Sequence, residues 1–201
     1  MSRREEYAEA TRQAIVGAAR RLFSERGYFA TKVDDIAALA RVAPATVYAV
    51  SGGKQGLLRT LTETATTDPA VEATIGSIEK LDDPSAILRL VAATVRSMRE
   101  QFGDVVRVLI NTAPHDKAVC ESLAIATTRN RNAFVPIAQR LMDLGALREE
   151  LDLNQAVDVF WFYFGSGLFT LHDENGWSYE QAEHWLRREA SRALLRDYTP
   201  P

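Results

Sequence analysis

The sequence lacks the features that define several large classes of protein. It contains one cysteine, Cys120, so no intrachain disulfide framework is possible, which fits a reducing cytoplasm. The amino-terminal residues Met1–Glu6 have no apolar core, unlike a secretory signal peptide. The most apolar segment, Val157–Leu171, is shorter than the about 20 residues that cross a bilayer. These absences predict a cytoplasmic protein that does not enter a membrane.

Patterns typical of catalysis and metal binding are also missing. There is no glycine-rich phosphate loop and no convincing pair of nucleophile and base. His115, Asp116 and Cys120 nearly share one helix face, but such isolated residues at a helix start are usually caps and core. His172 marks a helix end, and His184 lies on an exposed helix. We therefore expect no catalytic site, no metal, no cofactor and no enzymatic activity.

Charge is unevenly distributed along the chain. Residues 1–54 contain nine Lys/Arg and six Asp/Glu, a net charge of +3, whereas the remainder has 15 Lys/Arg and 21 Asp/Glu, a net charge of -6. A mildly basic head on an acidic body suits a protein that touches phosphates with one end only. Chance asymmetry explains the charges about as well, so this observation needs support from motifs.

Apolar residues recur with helical spacing almost throughout, and no segment alternates like a strand. Capping boxes at Thr31/Asp34, Asp152/Gln155 and Ser178/Gln181 mark three helix starts. The pattern predicts an all-α fold of about nine helices. The predicted helices are roughly Tyr7–Arg26, Thr31–Ala40, Pro44–Val50, one from Lys54, Pro84–Phe102, Val105–Asn111, Asp116–Leu144, Asp152–His172 and Ser178–Leu194.

The second and third predicted helices are short and separated by a tight turn, Arg41–Ala43. This is the arrangement of a helix-turn-helix, whose second helix enters the major groove of DNA. The residues able to form the small core between these helices are Ile36, Ala37, Ala40, Val42 and Val47. The residues able to face a duplex are Thr31, Lys32, Thr46, Tyr48 and Lys54.

An ordered set of residues strengthens this interpretation. Gly27–Ala37, then Val42, then Thr46–Tyr48 and Lys54–Leu58, occur in an order and spacing that resemble the amino-terminal domain of the TetR/AcrR family of transcriptional regulators. The close resemblance covers about Ala14–Leu61. Beyond it, the chain resembles the family only in having a helical, sequence-variable sensor domain of suitable length.

The resemblance implies a role for each matching position. Thr31 and Lys32 would meet phosphate at the start of the second helix, and Lys54 would anchor another phosphate. Tyr48 would touch the DNA backbone or a thymine methyl group. The positions that would face base edges are Ala43, Pro44, Ala45 and Thr46.

Three positions depart from the family pattern. Arg41 stands in the turn where the family often has glycine, so either the turn is less left-handed or Arg41 adds a DNA contact. Val50 stands where an aromatic residue or histidine often contacts phosphate, and Ser51 where phenylalanine often packs. Within the predicted recognition helix, only the Thr46 and Tyr48 side chains can donate or accept hydrogen bonds. We therefore expect the DNA sequence to be read through methyl groups, backbone contacts and DNA shape.

The resemblance also implies a homodimer in which the last two helices pair across a two-fold axis. The eighth predicted helix is apolar nearly all round and needs cover on more than one face. Both helices could instead fill a core within one chain, although a near-palindromic operator demands two recognition helices. The predicted interface residues are Phe164, Gly167, Leu168, Leu171, Trp185, Leu186, Ala190 and Leu194.

A pocket for a small-molecule effector is expected among the middle helices. Its apolar walls and few polar groups are typical of ligand pockets, although each apolar residue is more often plain core. The candidate residues are Met98, Phe102, Val106, Ile110, Asn111, Thr127, Asn130, Phe134, Ile137, Trp161, Phe162 and Tyr163. Their aromatic, mostly uncharged character predicts a hydrophobic effector.

These observations divide the chain into a DNA-binding domain, residues 1–54, and a domain for ligand sensing and dimerisation, residues 55–201. The predicted function is a dimeric repressor that leaves a double-stranded DNA operator when an effector binds. Two other classes stay open. A helical enzyme or binding module would not bind DNA, and a nucleoid-type protein would bind DNA regardless of sequence.

Overall fold

The structure is a computed structural model that describes residues 2–198. The described chain is helical, as predicted, and its only β-type pairing is one antiparallel bridge between Leu147 and Leu195. The helices are α1 (Arg3–Arg26), α2 (Val33–Ala40), α3 (Pro44–Ser51), α4 (Lys54–Thr66), α5 (Pro69–Ile78), α6 (Pro84–Thr112), α7 (Lys117–Asn132), α8 (Val135–Asp143), α9 (Leu153–Phe160) and α10 (Tyr179–Leu194).

One helix, α5, has no counterpart among those predicted from the sequence. Asp68 and Pro69 look like an interruption, but they form the start of this helix. The Asp68 carboxylate accepts a hydrogen bond from the Ala70 N–H at 2.9 Å, and Pro69 takes the first helical position, where a missing N–H costs nothing. The residues that stop one helix therefore start the next.

Two predicted helix boundaries in the middle of the chain are wrong. A break at Gly103 is predicted, but α6 passes through it, because one glycine costs about 1 kcal/mol while Phe102, Val105 and Leu109 continue a buried apolar stripe. A single helix is predicted over Asp116–Leu144, but it divides after Asn132. Pro136 lies in the first turn of α8 and lacks the N–H that a continuous helix would need.

The described residues pack as two units. The first contains the chain up to Thr66 together with Phe102–Ala126, and the second contains Thr67–Gln101 together with the chain from Thr127. Helix α6 therefore contributes residues to both units. The division into residues 1–54 and 55–201 concerns function rather than packing, and it stays a prediction.

The core of the first unit joins the four amino-terminal helices and the second half of α6. Its fully buried members include Ile15, Phe23, Ile36, Val47, Leu57 and Leu58, with Val105 and Leu109 from α6. Burial of side chains of this size stabilises a fold by about 1.5–3 kcal/mol each. This core holds three short helices, α2, α3 and α4, against the longer α1.

A bidentate ion pair also ties α6 to α1 within this unit. The Arg20 guanidinium donates from Nε to Asp104 Oδ2 and from Nη2 to Oδ1, each at 2.7 Å. Hydrogen bonding with Asp104 raises the pKa of Arg20. Burial alone would raise the pKa of Asp104, but the hydrogen bonds and charge of Arg20, together with backbone hydrogen bonds, outweigh burial, and the pKa is lowered. Both groups are therefore held in their charged forms.

The core of the second unit is built on α9 and α10. The Phe134 and Phe160 rings stack at 5.5 Å between centroids, with 7° between their planes. Both helices begin with the capping boxes predicted at Asp152 and Ser178. The fully buried members of this core include Leu88, Val91, Leu141, Phe160, Phe164, Leu168, Leu186, Ala190 and Leu194.

Beyond Phe160, helix α9 continues in wider π-helical turns over Trp161–Gly167 and Thr170–Glu174. Gly165 is required there, because a Cβ atom at that position would collide with the Trp161 ring. A Cβ atom at Gly167 would lie 2.8 Å from the Leu186 side chain, so glycine allows α9 and α10 to approach closely within one chain. None of the described helices is long and apolar enough to cross a membrane.

Candidate nucleic-acid interface

The helix-turn-helix consists of α2 and α3, each eight residues long. Ile36 and Ala37 of α2 and Val47 of α3 are buried in the core of the first unit, which fixes the angle between the two helices. Pro44 begins α3 at a position where its ring preorganises the first turn. Ala40 and Val42 are only partly buried, although both pack against this core as predicted.

The turn between these helices is left-handed, contrary to one of the two expectations for it. Arg41 has φ 58° and ψ 43°, the conformation that glycine usually supplies. The Arg41 N–H donates to Ala38 O at 3.2 Å, and the Val42 N–H donates to Ala37 O at 3.0 Å, which closes α2. A left-handed conformation costs an ordinary L-residue about 1–2 kcal/mol.

The first turn of α3 forms an exposed surface that carries no charge. Ala43, Pro44 and Ala45 are exposed, Thr46 is partly buried, and the Tyr48 side chain is 57% exposed. Val47, between Thr46 and Tyr48, points into the core. The predicted base-contacting positions therefore lie together on the side of α3 that faces away from the core, where methyl groups and one aromatic ring dominate.

Ser51 explains how α3 ends without the phenylalanine that the family often has there. Its hydroxyl donates to Val47 O at 2.7 Å and accepts from the Gly53 N–H at 3.3 Å. The backbone then approaches itself so closely that a Cβ atom at Gly56 would collide with Ser51 O, and glycine is required at that position. A Cβ atom at Gly53 would lie 3.1 Å from the Tyr48 ring, so glycine gives that ring its place.

Thr31 does not stand where the resemblance implies. Its side chain is 1% exposed, and its hydroxyl donates to Gly27 O at 2.8 Å and Leu22 O at 3.2 Å. The predicted capping box shifts by one residue, because Lys32 is the N-cap of α2 and its N–H donates to Asp35 Oδ2 at 3.2 Å. Thr31 is therefore a buried connection between α1 and α2, whereas Lys32 is exposed.

Lys54 is held by its own protein. Its ammonium donates to Tyr28 O at 2.8 Å and lies 4.6 Å from the centre of the Tyr28 ring, a cation–π contact. Burial lowers the pKa of Lys54. Burial also raises the pKa of Tyr28, with a smaller contribution from the Asp116 carboxylate. The first role of Lys54 is therefore to fasten the start of α4 to the turn after α1.

Phe29 is an exposed residue of this region that sequence reasoning does not single out. Its ring meets the His115 ring edge-on, with 6.2 Å between the centroids. His115 belongs to the 3₁₀ turn Ala113–His115 that follows α6. No local pattern in the sequence could find this contact, because the two residues are far apart in the chain and neither belongs to a periodic stripe.

The predicted effector-pocket residues are divided between the two units. Phe102, Val106, Ile110 and Asn111 belong to the first unit, and the other eight belong to the second. In the second unit, Phe134 and Ile137 are buried in the core, whereas the Phe162 side chain is 68% exposed. Asn130 is exposed, and the remaining members, Met98, Thr127, Trp161 and Tyr163, are partly buried.

The second unit also contains an open cleft of about 540 Å³ on the exposed side of α10. Its walls are Trp177, Glu180, Gln181 and His184, none of which was predicted to bind a ligand. The Trp177 ring lies edge-on to Trp185, with 6.1 Å between the centroids. Among the described residues, no group of three or more His, Cys, Asp and Glu side chains could hold a metal ion.

Most of the residues predicted for the dimer interface are buried within the chain itself, and the predicted interface stays a prediction. The buried residues are Phe164, Leu168, Leu186, Ala190 and Leu194. Gly167, Leu171 and Trp185 are partly buried, and Leu171 and Trp185 also pack against this core. The physical reason is that α9 and α10 pack in one core, where Phe164 and Leu168 lie with Leu186 and Leu194 of the other helix. The outer face of α9 instead presents Phe162, Ser166 and Thr170.

Comparison with known proteins gives a consistent result over the same region. Residues 15–61 match the model of the "Bacterial regulatory proteins, tetR family". No curated protein matches the chain. The match covers α2, α3, the second half of α1 and most of α4, which are the elements that form the core beneath the helix-turn-helix.

Solved structures extend the likeness to nearly the whole chain. NalD of Pseudomonas aeruginosa, the secondary repressor of the MexAB-OprM multidrug efflux pump, has a TM-score of 0.76 and 23% identity, covering 96% of this chain and 100% of NalD. SmeT, in a complex with triclosan, has a TM-score of 0.78 and 18% identity, covering 95% of each chain. A putative TetR-family regulator of Mesorhizobium loti has a TM-score of 0.75 and 18% identity, covering 96% of each chain.

At these identities the solved structures establish the fold, and the family model identifies the amino-terminal region. The buried core under α2 and α3, the exposed first turn of α3 and the helices that follow all agree with that assignment. Residues 15–61 therefore match the amino-terminal region of the TetR family of bacterial regulatory proteins, and nearly the whole chain shares its fold with a solved structure described as a putative regulator of that family.

Proposed function

We propose that the protein is a ligand-responsive transcriptional repressor, which binds a near-palindromic DNA operator as a homodimer and leaves it when a small hydrophobic effector binds. The observation that carries the proposal is the exposed, uncharged first turn of α3, in a helix-turn-helix that matches the TetR-family model and also carries exposed Lys32 and Arg41. We infer no catalytic role for any residue.

In this proposal α3 enters the major groove. Ala43, Pro44 and Ala45 make apolar contact with base edges, of which the thymine methyl group is the natural partner. Thr46 and Tyr48 supply the hydrogen bonds, and much of the sequence preference comes from DNA shape. A surface this poor in hydrogen-bonding groups would discriminate moderately at several base pairs rather than strongly at one.

Phosphate contacts would come from fewer side chains than the resemblance implies. Lys32 is exposed at the start of α2, where free backbone N–H groups also favour an anion. The bond to Tyr28 O holds the Lys54 ammonium in its present position. Its two other protons could bind a phosphate that comes within reach there. The Thr31 hydroxyl is excluded from the proposed set, because its hydrogen-bond donor is used inside the chain.

The proposed dimer uses the outer face of α9. Phe162 is a large apolar side chain with most of its surface in solvent, and small residues, Ser166 and Thr170, follow it at helical spacing. A two-fold axis would bring two copies of this face together, each Phe162 against the partner's small residues. This arrangement leaves the intrachain core of α9 and α10 intact.

Two relatives support the ligand-responsive part of the proposal. The SmeT structure contains triclosan, a small aromatic molecule, and NalD is a repressor of a multidrug efflux pump. In this chain Met98, Trp161 and Tyr163 are partly buried candidates of the second unit for contact with an effector of similar character. The effector would act only through a difference in its affinity for the DNA-binding and released conformations.

The experiment that tests the proposal is selection of duplexes from random-sequence DNA by the purified protein, followed by a mobility shift with excess unrelated competitor. Tyr48→Ala should weaken binding about 10-fold or more, because each dimer loses two groove contacts. The matched control is Ile125→Ala, which truncates a similarly exposed side chain on α7. Failure to select any sequence would favour a binding module, and equal binding to all sequences would favour a nucleoid-type protein.

A further inference from the structure

Arg41 is the only residue other than glycine with a positive φ in the described part of the chain. The five other positions with positive φ are all glycines, so the chain places glycine wherever a turn alone demands this conformation. An arginine with a left-handed backbone is strained, and such strain persists where the residue has a use.

No contact among the described residues accounts for the arginine. Its side chain is exposed, and within residues 2–198 it has no ion pair and no side-chain hydrogen bond. The hydrogen bonds that close the turn come from the backbone N–H groups of Arg41 and Val42, which glycine at position 41 would form equally well. The strain is therefore not compensated by packing or by a salt bridge within the described chain.

The position of Arg41 indicates a partner. It lies in the turn directly before α3, next to the uncharged surface of Ala43–Ala45. In a helix-turn-helix the second helix occupies the groove while the first crosses the DNA backbone, so the turn between them lies beside phosphates. A guanidinium binds phosphate through two parallel hydrogen bonds, and Lys54, another cation of this region, already donates to Tyr28 O.

We propose that Arg41 is a phosphate-binding residue of the DNA interface, and that the strained turn is retained because it directs this guanidinium to the DNA backbone beside α3. The inference rests on the proposed function and adds a specific contact to it. It implies that stability and affinity oppose each other at this position. Glycine would relax the turn and remove the contact at the same time.

The test compares Arg41→Gly, Arg41→Gln and Arg41→Lys with the wild-type protein on the selected operator duplex, over a range of KCl concentrations. Each lost phosphate contact reduces the slope of log K against log [salt] by about 0.9, so a dimer with two copies loses about 1.8. Arg41→Gly and Arg41→Gln should both show this loss, with at least about 10-fold weaker binding near physiological salt. Arg41→Lys should keep most of the slope.

Thermal unfolding separates the contact from the strain. Arg41→Gly should raise Tm by about 2–4 °C, because the turn relaxes. Arg41→Gln retains the left-handed strain and should leave Tm nearly unchanged. Both variants should weaken binding to an unrelated duplex by the same factor as binding to the operator, because a phosphate contact carries no sequence information.

Three outcomes would count against the inference. An unchanged salt slope in both Arg41→Gly and Arg41→Gln would overturn the role of Arg41 while leaving the proposed function intact. A loss confined to the operator would assign Arg41 to a base instead of a phosphate, and would overturn the inference as stated. If the wild-type protein selects no sequence, the proposed function fails, and the role of Arg41 fails with it.

Discussion

Tyr48 in α3 and Phe162 in α9 are exposed to a similar degree, 57% and 68%, but they stand in different surroundings. Tyr48 belongs to a region of net charge +3, with exposed Lys32 and Arg41 on the same helix pair. Phe162 is followed along its helix face by small, uncharged Ser166 and Thr170. An exposed aromatic ring beside cations suits a polyanion, whereas one among small neutral residues suits another protein surface.

The two regions also differ in how they use their apolar residues. Helices α2 and α3 contribute only Ile36, Ala37 and Val47 as buried side chains, so most of their surface is available to a partner. Helices α9 and α10 bury most of their apolar side chains in the core of their unit, and Phe162 is the large exception. The exposed face is broad in the first region and narrow in the second. A single substitution in the second region is therefore expected to change either stability or dimer formation more clearly than one in the first.

The largest effect is expected when a buried and an exposed phenylalanine of α9 are compared. Phe164→Ala should lower the free energy of unfolding by about 3–5 kcal/mol, because Phe164 is 3% exposed and packs near Phe160. Phe162→Ala should change the free energy of unfolding of each chain by less than about 0.5 kcal/mol, but it should weaken the dimer. Urea unfolding and sedimentation equilibrium, at several protein concentrations, measure the two effects.

Two results with these phenylalanine variants would contradict the comparison. If Phe162→Ala left the dissociation constant of the dimer unchanged, the outer face of α9 would not be the dimer interface. An unfolding free energy unchanged by Phe164→Ala would mean that the core described for the second unit is not the one that stabilises it.

The next effect concerns the uncharged surface of α3. Ala45→Glu places a carboxylate where the proposal puts DNA, and glutamate is well tolerated in a helix, so the fold should survive. We expect operator affinity to fall about 100-fold, because both copies in a dimer bring a negative charge to the groove. Ala118→Glu on α7 is the matched control, since Ala118 is also exposed. Equal losses from the two variants would indicate a general charge effect.

The smallest effect concerns α6, which contributes residues to both units. Asp104→Asn should lower the free energy of unfolding by about 1 kcal/mol at neutral pH, since it breaks a partly buried bidentate pair with Arg20. A double-mutant cycle with Arg20→Gln isolates the pair energy. An additive cycle would show that the two side chains do not interact.

The pH dependence of this pair has a definite sign. The pKa of Asp104 is lowered in the folded protein, so the pair stabilises above the ordinary aspartate pKa and loses its effect as pH falls through the folded value. The difference in the free energy of unfolding between wild type and Asp104→Asn should therefore be constant above about pH 5 and shrink below about pH 4. A difference that grows on acidification would contradict this account.

Local signals explain what could be predicted. The capping boxes at Asp152 and Ser178, Pro44 at the start of α3 and the apolar stripe of α1 all depend on residues within a few positions of one another. The predictions that failed needed distant partners or competing local signals. Gly103 does not break α6 because residues from other helices cover its neighbours, and the burial of Thr31 depends on Leu22 and Gly27 carbonyl groups.

By itself, then, the sequence determined the helical fold class, the two-helix motif and the identity of the side chains on the first turn of α3, because periodicity, caps and proline act over a few residues. Only the tertiary structure decided which face of α9 is already covered, that the Lys54 ammonium is committed to Tyr28 O, and that Arg41 keeps a left-handed turn. A helix that is apolar all round does not encode which neighbour covers each face, and an arginine does not encode its own φ. Those choices depend on which helices meet once the core has closed.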